Sequence, residues 1–428
     1  MKKLMILGAG LYQVPLIETA KKMGLETVVV SIPGPYKGFE IADHVLELDT
    51  RDQNAIRHAA VSEQISGICT TGTDVAVKSI GYVCDRLNLP GIGYEAARTL
   101  CDKALMKEAF LRGKVACAAG CRVTSLREAQ EAADRLGYPV VVKRVDSSGS
   151  RGITVVREPF ALRAAFLRAK EKTLHEYVLV EQFLQGTEIG VDGFIRDGKV
   201  IFLAPHTKFV FKGGSITVPS GHAYPFPGTP ALRREIARQM QLAASAAGAD
   251  NCCFNADVFV EGDRAWVIEM GGRCGATCIP ELTSIYYGFD YYEAMILEAI
   301  GERAHFPDTG CMESGEASGG ADTFACASGR GADKPLRTPC MAKLLMSPSE
   351  GVITAIDEGQ LEKIRQGGAD VKLDFHVGGH VFAMSDGTDR IGSVLLRTGE
   401  ESVLDETCRA VRRCIWVNER NLEELWND

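Results

Sequence analysis

The sequence contains no run of apolar residues long enough to cross a bilayer, so we expect no membrane-spanning helix. It also has no basic block: 48 lysines and arginines stand against 56 aspartates and glutamates, for a formal net charge of -8. Such a chain is poorly suited to neutralise a nucleic-acid backbone, so we expect no nucleic-acid partner. Gly8 and Gly10 interrupt the apolar start and no small-residue cleavage site follows, so we expect no secretory signal.

The 14 cysteines include no pair with CxxC spacing. Cys274 and Cys278 lie close in sequence, but no second pair of cysteines or histidines is spaced to complete a tetrahedral zinc site with them. Scattered cysteines in a chain without a secretory signal indicate reduced, mostly buried thiols. The sequence therefore predicts a cytoplasmic protein.

The length of 428 residues predicts two or three domains. The first part alternates short apolar runs with helical patterns: a strand over residues 4–7, a helix over 14–23 and a second strand over 27–32. The same alternation continues to the stop at residues 89–91. This pattern predicts a small α/β domain with a parallel sheet.

The turn GAGLYQ after the first strand is similar to the opening of a dinucleotide-binding motif. Gln13, however, stands where that motif has its third glycine, and the second strand ends in Ser31 where an acid would hold a ribose hydroxyl. We therefore expect no nicotinamide cofactor. The turn is better explained by close packing of a helix on a sheet, and it remains a candidate for a substrate contact.

Beyond Gly93 the pattern changes to a helix over residues 96–112, which carries Lys103, and then to a strand that ends in Lys143. A loop rich in glycine and serine follows over residues 146–152, before a returning strand. Small residues let backbone N–H groups approach anionic oxygens, so the loop is a candidate phosphate lid. The alternative is a plain connecting loop, since no Walker motif is present.

Farther along, a strand ending in Glu181 precedes a hairpin that begins at Glu188. Residues 206–227 contain several glycines and prolines, and we predict that they are irregular. Long loops in compact domains often carry function. Within this segment His206, Lys208 and His222 are candidates for substrate contacts, although each is individually more typical of a structural role.

Residues 254–273 read as two strands around a turn centred near residue 263. Alternation places Asn255 and Asp257 on one face of the first strand, and Glu269, Gly271 and Arg273 on one face of the second. This register puts Asp257 opposite Glu269. Two facing carboxylates suit a magnesium ion bound to phosphate. The alternative is a salt bridge from Glu269 to Arg273, which leaves the second acid and the bare glycines unexplained.

The order of these elements resembles the ATP-grasp superfamily of carboxylate-activating ligases over roughly residues 1–300. The resemblance implies an α/β chain with an α+β lid, in which a Rossmann-like domain precedes the ATP-grasp fold. Part of the chain beyond residue 340 is similar to the C-terminal α/β domain of the L-amino acid ligases. We expect four units: residues 1–95, the lid at 96–205, the central subdomain at 206–310 and the C-terminal domain at 311–428.

The resemblance also implies roles for individual residues. ATP phosphates would be bound by Lys103 and Lys143 and covered by Ser147, Ser148, Gly149 and Ser150. Adenine would be read by Glu181 and by the backbone near Phe183 and Leu184, and the ribose would be held by Glu188. Magnesium, or manganese in its place, would be bound by Asp257 and Glu269. Many members have a further metal ligand, Asn, where this chain has Gly271, and Asn255 or water would compensate. Gly271 and Gly272 are further candidates for substrate contacts.

The implied reaction activates a substrate carboxylate with ATP and joins it to an amine, with Lys143 and Arg273 as catalytic residues. The substrates would be small molecules, and the amine an amino acid. Two alternatives stay open: a carboxylase-type or purine-pathway enzyme of the same superfamily, and a nucleotide-binding regulatory protein without turnover. The sequence also leaves a homodimer open.

Overall fold

The computed structural model describes residues 2–146, 152–213, 216–311, 337–385 and 389–427. Among these residues, no helix combines the length and the apolar character that crossing a membrane requires. Every cysteine in the described part of the chain is a free thiol.

The first unit is a four-stranded parallel sheet covered by helices. Its elements are β1 (Lys3–Leu7), α1 (Val14–Lys22), β2 (Glu26–Ser31), α2 (Lys37–Ile41), β3 (His44–Glu47), α3 (Gln53–Glu63), β4 (Gly67–Cys69) and α4 (Val77–Leu87). The strand order is β3-β2-β1-β4. Alternate residues of β1 enter two different apolar cores, because successive side chains point to opposite faces of the sheet. The predicted parallel α/β layer is confirmed.

The second unit is a smaller antiparallel sheet with two helices against it. Its elements are α5 (Tyr94–Leu100), α6 (Lys103–Arg112), β5 (Gly120–Val123), α7 (Leu126–Leu136), β6 (Val140–Lys143), β7 (Ile153–Val156), a 3-10 turn (Pro159–Ala161), α8 (Leu162–Lys172) and β8 (Val178–Gln182). The strand order is β5-β8-β6-β7. The apolar faces of α7 and α8 pack on this sheet to form a separate small core.

The prediction of one helix over residues 96–112 is wrong, because Asp102 divides the segment. Its backbone is extended, and its side chain accepts hydrogen bonds from the N–H groups of Ala104 and Leu105. Asp102 is therefore the N-cap of α6. The break makes Lys103 the first residue of a new helix.

The third unit is built on a long antiparallel sheet. Its first elements are β9 (Thr187–Arg196), β10 (Lys199–Gly213), β11 (Ile216–Tyr224), α9 (Pro230–Ala247), β12 (Cys252–Glu261), β13 (Arg264–Gly271), α10 (Ile279–Tyr287) and α11 (Tyr291–Ala299). The remaining elements are β14 (Cys340–Met346), β15 (Gly351–Ile356), α12 (Glu358–Gln366), β16 (Asp370–Leu373), β17 (His380–Val381), β18 (Arg390–Leu396), α13 (Glu401–Arg412), β19 (Ile415–Val417), β20 (Arg420–Asn421) and α14 (Leu422–Asn427).

The large sheet has eight strands in the order β13-β12-β9-β10-β11-β14-β18-β16, and a small sheet has the order β17-β15-β19-β20. The prediction that residues 206–227 are irregular is wrong, because most of them belong to the hairpin β10 and β11. Pro219 lies where the pairing shifts register, next to the break between Phe209 and Val210. A bulge is a place where a sheet tolerates proline, which lacks the N–H that a regular ladder needs.

The predicted unit boundaries do not coincide with this sheet. The boundary at 205/206 falls inside β10, and β11 pairs with β14 across the boundary at 310/311. The boundary at 95/96 falls inside α5. The hydrogen-bonded sheet thus joins the expected central and C-terminal units.

Candidate active site

Helix α6 directs two lysines, one turn apart, towards acids of two different sheets. Lys103 at its first position forms an ion pair with Glu269 of β13. Lys107, four residues later on the same face, lies 3.2 Å from Glu181 of β8. The Asp102 cap therefore fixes the start of the helix that links these two acids.

Glu181 lies between two lysines in an almost fully buried position. Its carboxylate pairs with Lys143 at the end of β6 and with Lys107, whose ammonium also donates to the Ala118 carbonyl at 2.9 Å. Burial alone would raise the pKa of Glu181, but the two ammonium groups outweigh it and the pKa is lowered. Glu181 is therefore ionised and holds both lysines beside the same cleft.

Asp257 and Glu269 face each other across β12 and β13, as the sequence predicts. A register shift between Asp257 and Val258 produces this pairing. Without the shift, the regular ladder that starts at Glu261 and Arg264 would pair Asp257 with Ile268. Asp257 and Glu269 would then point to opposite faces of the sheet. The bulge thus decides that the two carboxylates share one face.

The acids of the hairpin are neutralised by lysines from other elements. Lys208 of β10 lies 2.8 Å from Asp257 and 2.5 Å from Glu188. Burial raises the pKa of Glu188, and the nearby Asp257 raises it further. Burial would likewise raise the pKa of Glu269, but pairing with Lys103 lowers it to about 2. Each acid of this group therefore lies beside a lysine from another strand or helix.

Arg273 makes no salt bridge to Glu269, so the simple ion pair considered from the sequence is absent. One terminal nitrogen, Nη2, donates to Asp74 at 2.8 Å, and the other, Nη1, donates to Asn255 Oδ1 at 3.0 Å. Burial would lower the pKa of Arg273, but Asp74 outweighs it and the pKa is raised. Arg273 is a permanent cation held by the first unit and by β12 together.

The two glycines after Glu269 differ in what surrounds them. A Cβ on Gly271 would lie 2.8 Å from an oxygen of Asp74, whereas a Cβ on Gly272 would meet Ile92 at 2.6 Å. Gly271 therefore leaves room for Asp74 beside Arg273. Gly272 packs against the apolar core and does not line a cleft, which argues against the predicted substrate contact.

Neither candidate histidine reaches a cleft surface. His206 is 0% exposed and His222 is 4% exposed, and their rings pack edge to face with centroids 4.7 Å apart. Burial lowers the pKa of His222 well below its usual range, and His206 lowers it further. The predicted substrate contacts of both histidines are therefore wrong. They belong to the interior of the large sheet, and only Lys208 of the three candidates faces a cleft.

The adenine-reading segment lies in the connector between β8 and β9, where Phe183 and Leu184 line the same cleft as Lys143. The Phe183 N–H donates to the Pro139 carbonyl at 3.3 Å, so this group is engaged within the protein and the predicted reading of adenine by it is not supported. The predicted lid residues Ser147, Ser148, Gly149 and Ser150 lie outside the described residues.

Two clefts meet at Glu269. The first, of about 1320 Å³, is lined by Lys143, Glu181, Glu188, Lys208 and Asp257 among others. The second, of about 870 Å³, lies against the first unit and includes the turn after β1, Ser31, Asp74, Lys103, Gly271 and Arg273. Glu269 lines both, so a group bound at this end of either cleft would lie beside its side chain.

The donor set fits a metal that shares its coordination with a ligand. Asp257 and Glu269 supply facing carboxylates, while no cluster of three or more His, Cys, Asp or Glu side chains suited to a metal occurs among the described residues. Magnesium is commonly held by one or two carboxylates together with phosphate oxygens. Asn255 does not fit this role, because its Oδ1 accepts from Arg273 and its Nδ2 donates to Asp192 at 2.7 Å.

Sequence reasoning assigned no role to three polar residues that the fold brings to this site: Lys107, Asp74 and Asp192. The position of Lys107 four residues after Lys103 was a usable signal, since such residues share a helix face. No local signal marked Asp74, which lies 199 residues from its partner Arg273 in the sequence.

Comparisons with known proteins agree with this architecture. The family model of the ATP-grasp domain matches residues 136–281. Alanine–anticapsin ligase from Bacillus subtilis is 26% identical over 263 residues, which cover 56% of this chain and 55% of that protein. The chain thus spans about half the length of this curated relative.

Two solved structures share the fold over nearly the whole chain. L-amino acid ligase from Bacillus licheniformis has a TM-score of 0.75 at 17% identity and covers 98% of this chain and 99% of its own. Phosphoribosylglycinamide synthetase from Anaerococcus prevotii has a TM-score of 0.74 at 24% identity, with 97% and 99% covered. Residues 136–281 therefore match the ATP-grasp domain, and the chain as a whole shares the fold of an L-amino acid ligase.

Proposed function

We propose that this protein is an ATP-dependent ligase that activates a carboxylate as an acyl phosphate and joins it to an amine. The observation that carries the proposal is the meeting of the two clefts at Glu269. A nucleotide in the first cleft would present its terminal phosphate at this junction. A small carboxylate in the second cleft would approach the same phosphate from the side of Arg273.

The lysines that line the two clefts have the charge that polyphosphate binding needs. Lys103, Lys107, Lys143 and Lys208 each pair with an acid of the site. Lys103 and Lys143 would exchange part of this pairing for phosphate oxygens when ATP binds, while Glu188 would hold the ribose and Glu181 would keep its lysines in place. Charge-assisted contacts of this kind are stronger than neutral hydrogen bonds.

Asp257 and Glu269 would hold magnesium beside the phosphates. When bound, magnesium would neutralise part of the charge that spreads over the transferring phosphoryl group. We do not include Asn255 among the ligands, because both ends of its carboxamide are engaged by Asp192 and Arg273.

The reaction requires two displacements. A carboxylate oxygen of the substrate attacks the γ-phosphorus, the bond to the β,γ-bridging oxygen breaks and ADP leaves. An amine nitrogen then attacks the acyl carbon, the C–O bond to phosphate breaks, and the nitrogen loses a proton to give an amide. Arg273 would contact the acyl phosphate, where a guanidinium stabilises charge on planar oxygen groups by paired donors.

Amino acids are the proposed substrate class, with support from the resemblance to alanine–anticapsin ligase and L-amino acid ligase. The free thiols of the described residues are consistent with a cytoplasmic location. The protein is incubated with ATP, magnesium and pairs of amino acids, and phosphate release is measured beside mass spectrometry of the product.

Hydroxylamine in place of the amine separates the two steps, because it converts an acyl phosphate to a hydroxamate. If ADP and a hydroxamate form only when a carboxylic acid substrate is added, the protein activates that carboxylate, even when the natural amine is missing from the panel. ATP binding without ADP formation for any acid would favour the regulatory alternative. Bicarbonate- or formate-dependent turnover would favour the carboxylase-type or purine-pathway alternative.

A further inference from the structure

We propose that Asp192 is a positioning residue that sets the orientation of Arg273 through the carboxamide of Asn255. The inference rests on the proposed function of this site, because it concerns how Arg273 meets the acyl phosphate. It gives Asn255 a role other than metal binding. It also assigns a role to a buried acid outside both clefts.

Asp192 lies in the middle of the large sheet and is 0% exposed. Its carboxylate accepts three hydrogen bonds from three other segments: from Asn255 Nδ2 at 2.7 Å, from the Gly275 N–H at 2.7 Å and from His206 Nε2 at 3.2 Å. A buried carboxylate is costly unless its oxygens are satisfied and its charge is compensated. The three donors satisfy the oxygens, but none of them need carry a full charge.

The cation nearest to Asp192 along this hydrogen-bonded chain is Arg273, which lies on the far side of the Asn255 carboxamide. A carboxamide has a donor end and an acceptor end, so Asp192 at its Nδ2 forces its Oδ1 to the other side. There Oδ1 accepts from Arg273 Nη1 at 3.0 Å. Asn255 thus connects an anion to a cation with only one orientation of its amide satisfying both.

The same acid also fixes the backbone after Arg273. Asp192 Oδ1 holds the N–H of Gly275, and Arg273 Nη1 donates to the neighbouring Cys274 carbonyl at 3.2 Å. With Asp74 on Nη2, the guanidinium is held at both terminal nitrogens. Its Nε has no hydrogen-bond partner among the described residues. The plane of the guanidinium is therefore set before any ligand binds.

The test exchanges the amide and the carboxylate. Asp192→Asn and Asn255→Asp, made singly, each break the donor and acceptor match, whereas the double variant Asp192→Asn/Asn255→Asp restores one donor and one acceptor between the two positions. The double variant also places the new carboxylate at position 255 directly against Arg273. His206 can accept a hydrogen bond from the new amide at position 192 by adopting its other tautomer.

Each single variant should lower kcat for amide formation by about 10²-fold, the size of loss that a small misplacement of a reacting group produces. The KM for ATP should not change, and the double variant should recover most of the lost kcat. Asp197→Asn is the matched control, because it makes the same substitution at an exposed position in the turn of the same hairpin. Single variants with the kcat of this control would overturn the proposal, as would a folded double variant no better than the singles.

Melting curves accompany every variant, and Asn255→Ser covers the case in which the charged variants do not fold. It removes the carboxamide without creating a like-charge contact, so the same loss of kcat with parental ATP affinity is expected. A parental kcat in Asn255→Ser overturns the proposal.

Binding of inorganic phosphate in the presence of ADP and magnesium gives a readout that needs no substrate acid. Asp192→Asn should weaken this binding about 10-fold, and equal affinity in the parent and the variant would overturn the proposal. If the parent forms neither an amide nor a hydroxamate from any acid, the ligase function fails while the phosphate measurement still decides the positioning role.

Discussion

Replacing Glu269 by glutamine tests the junction of the two clefts most directly, because the change keeps the shape of the side chain and removes its charge. In the structure the carboxylate pairs with Lys103 and faces Asp257. Its pKa falls from 4.5 to about 2, which corresponds to a preference of about 3 kcal/mol for the charged form. The glutamine variant should lose part of this stabilisation and melt at a lower temperature.

The effect on nucleotide binding should depend on magnesium. Without magnesium, ATP affinity should be maintained or increased, because Lys103 no longer has to leave a carboxylate to reach phosphate. With magnesium, affinity should decrease, because one of two facing carboxylates is gone. Turnover should decrease by about 10² to 10³-fold, as for the loss of one group that stabilises transition-state charge.

Calorimetry with ATP, in the presence of magnesium and in the presence of a chelator, measures both binding effects. Glu261→Gln is the control, because Glu261 lies exposed at the turn of the same hairpin. Turnover near the parental rate in Glu269→Gln would refute the assignment of Glu269 to the reaction centre. A fall in ATP affinity that is equal with and without magnesium would refute its assignment to the metal.

Four further outcomes are expected. Lys143→Ala should weaken ATP binding by about 1.5 to 3 kcal/mol through loss of a charge-assisted contact, and calorimetry showing parental affinity in a folded variant would contradict this. Arg273→Lys should bind ATP normally yet lose most turnover, since an ammonium lacks the planar pair of donors; product formation measures this, and a fully active variant would count against the assigned contact. Gly271→Ala should lower both melting temperature and turnover because its Cβ would lie 2.8 Å from Asp74, the partner of Arg273; melting curves and product formation measure this, and parental values for both would contradict it. The lowered pKa of Glu269 means that, on acidification, the unfolded state binds this proton at a higher pH than the folded state does. The stability that Glu269 contributes should therefore be complete above about pH 4.5 and lost towards pH 2. Denaturant unfolding at each pH measures this, and the free energies of unfolding of the parent and of Glu269→Gln should converge as the pH falls through this range.

The local parts of the fold and of the site were predictable because they depend on short-range patterns. The alternating pattern of residues 254–273 identified the two strands that carry Asp257 and Glu269, although a bulge sets their final register, and the apolar run before Lys143 identified a strand end. The helix predicted over residues 14–23 is observed as α1 to within one residue, since the spacing of apolar side chains is a local feature. Such features depend on neighbouring residues in the sequence and not on the packing of distant segments.

The sequence misled where neighbouring strands supply what the local pattern lacks. Residues 206–227 contain glycine and proline, yet β9 on one side and β14 on the other give this hairpin its hydrogen-bond partners. The same burial makes His206 an interior residue, although a loop position would have exposed it. Strand pairing is a long-range property, so propensity within one segment cannot decide it.

The sequence by itself determined the parallel α/β pattern of the first unit, the two strands that carry Asp257 and Glu269, and the strand that ends in Lys143. Only the tertiary structure decided which charges meet. Lys103 pairs with an acid 166 residues away, and Arg273 with one 199 residues away, rather than with Glu269 four residues before it. The physical reason is that an ion pair depends on distance and burial in space, and those are set by the packing of α6, the first unit and the large sheet against one another.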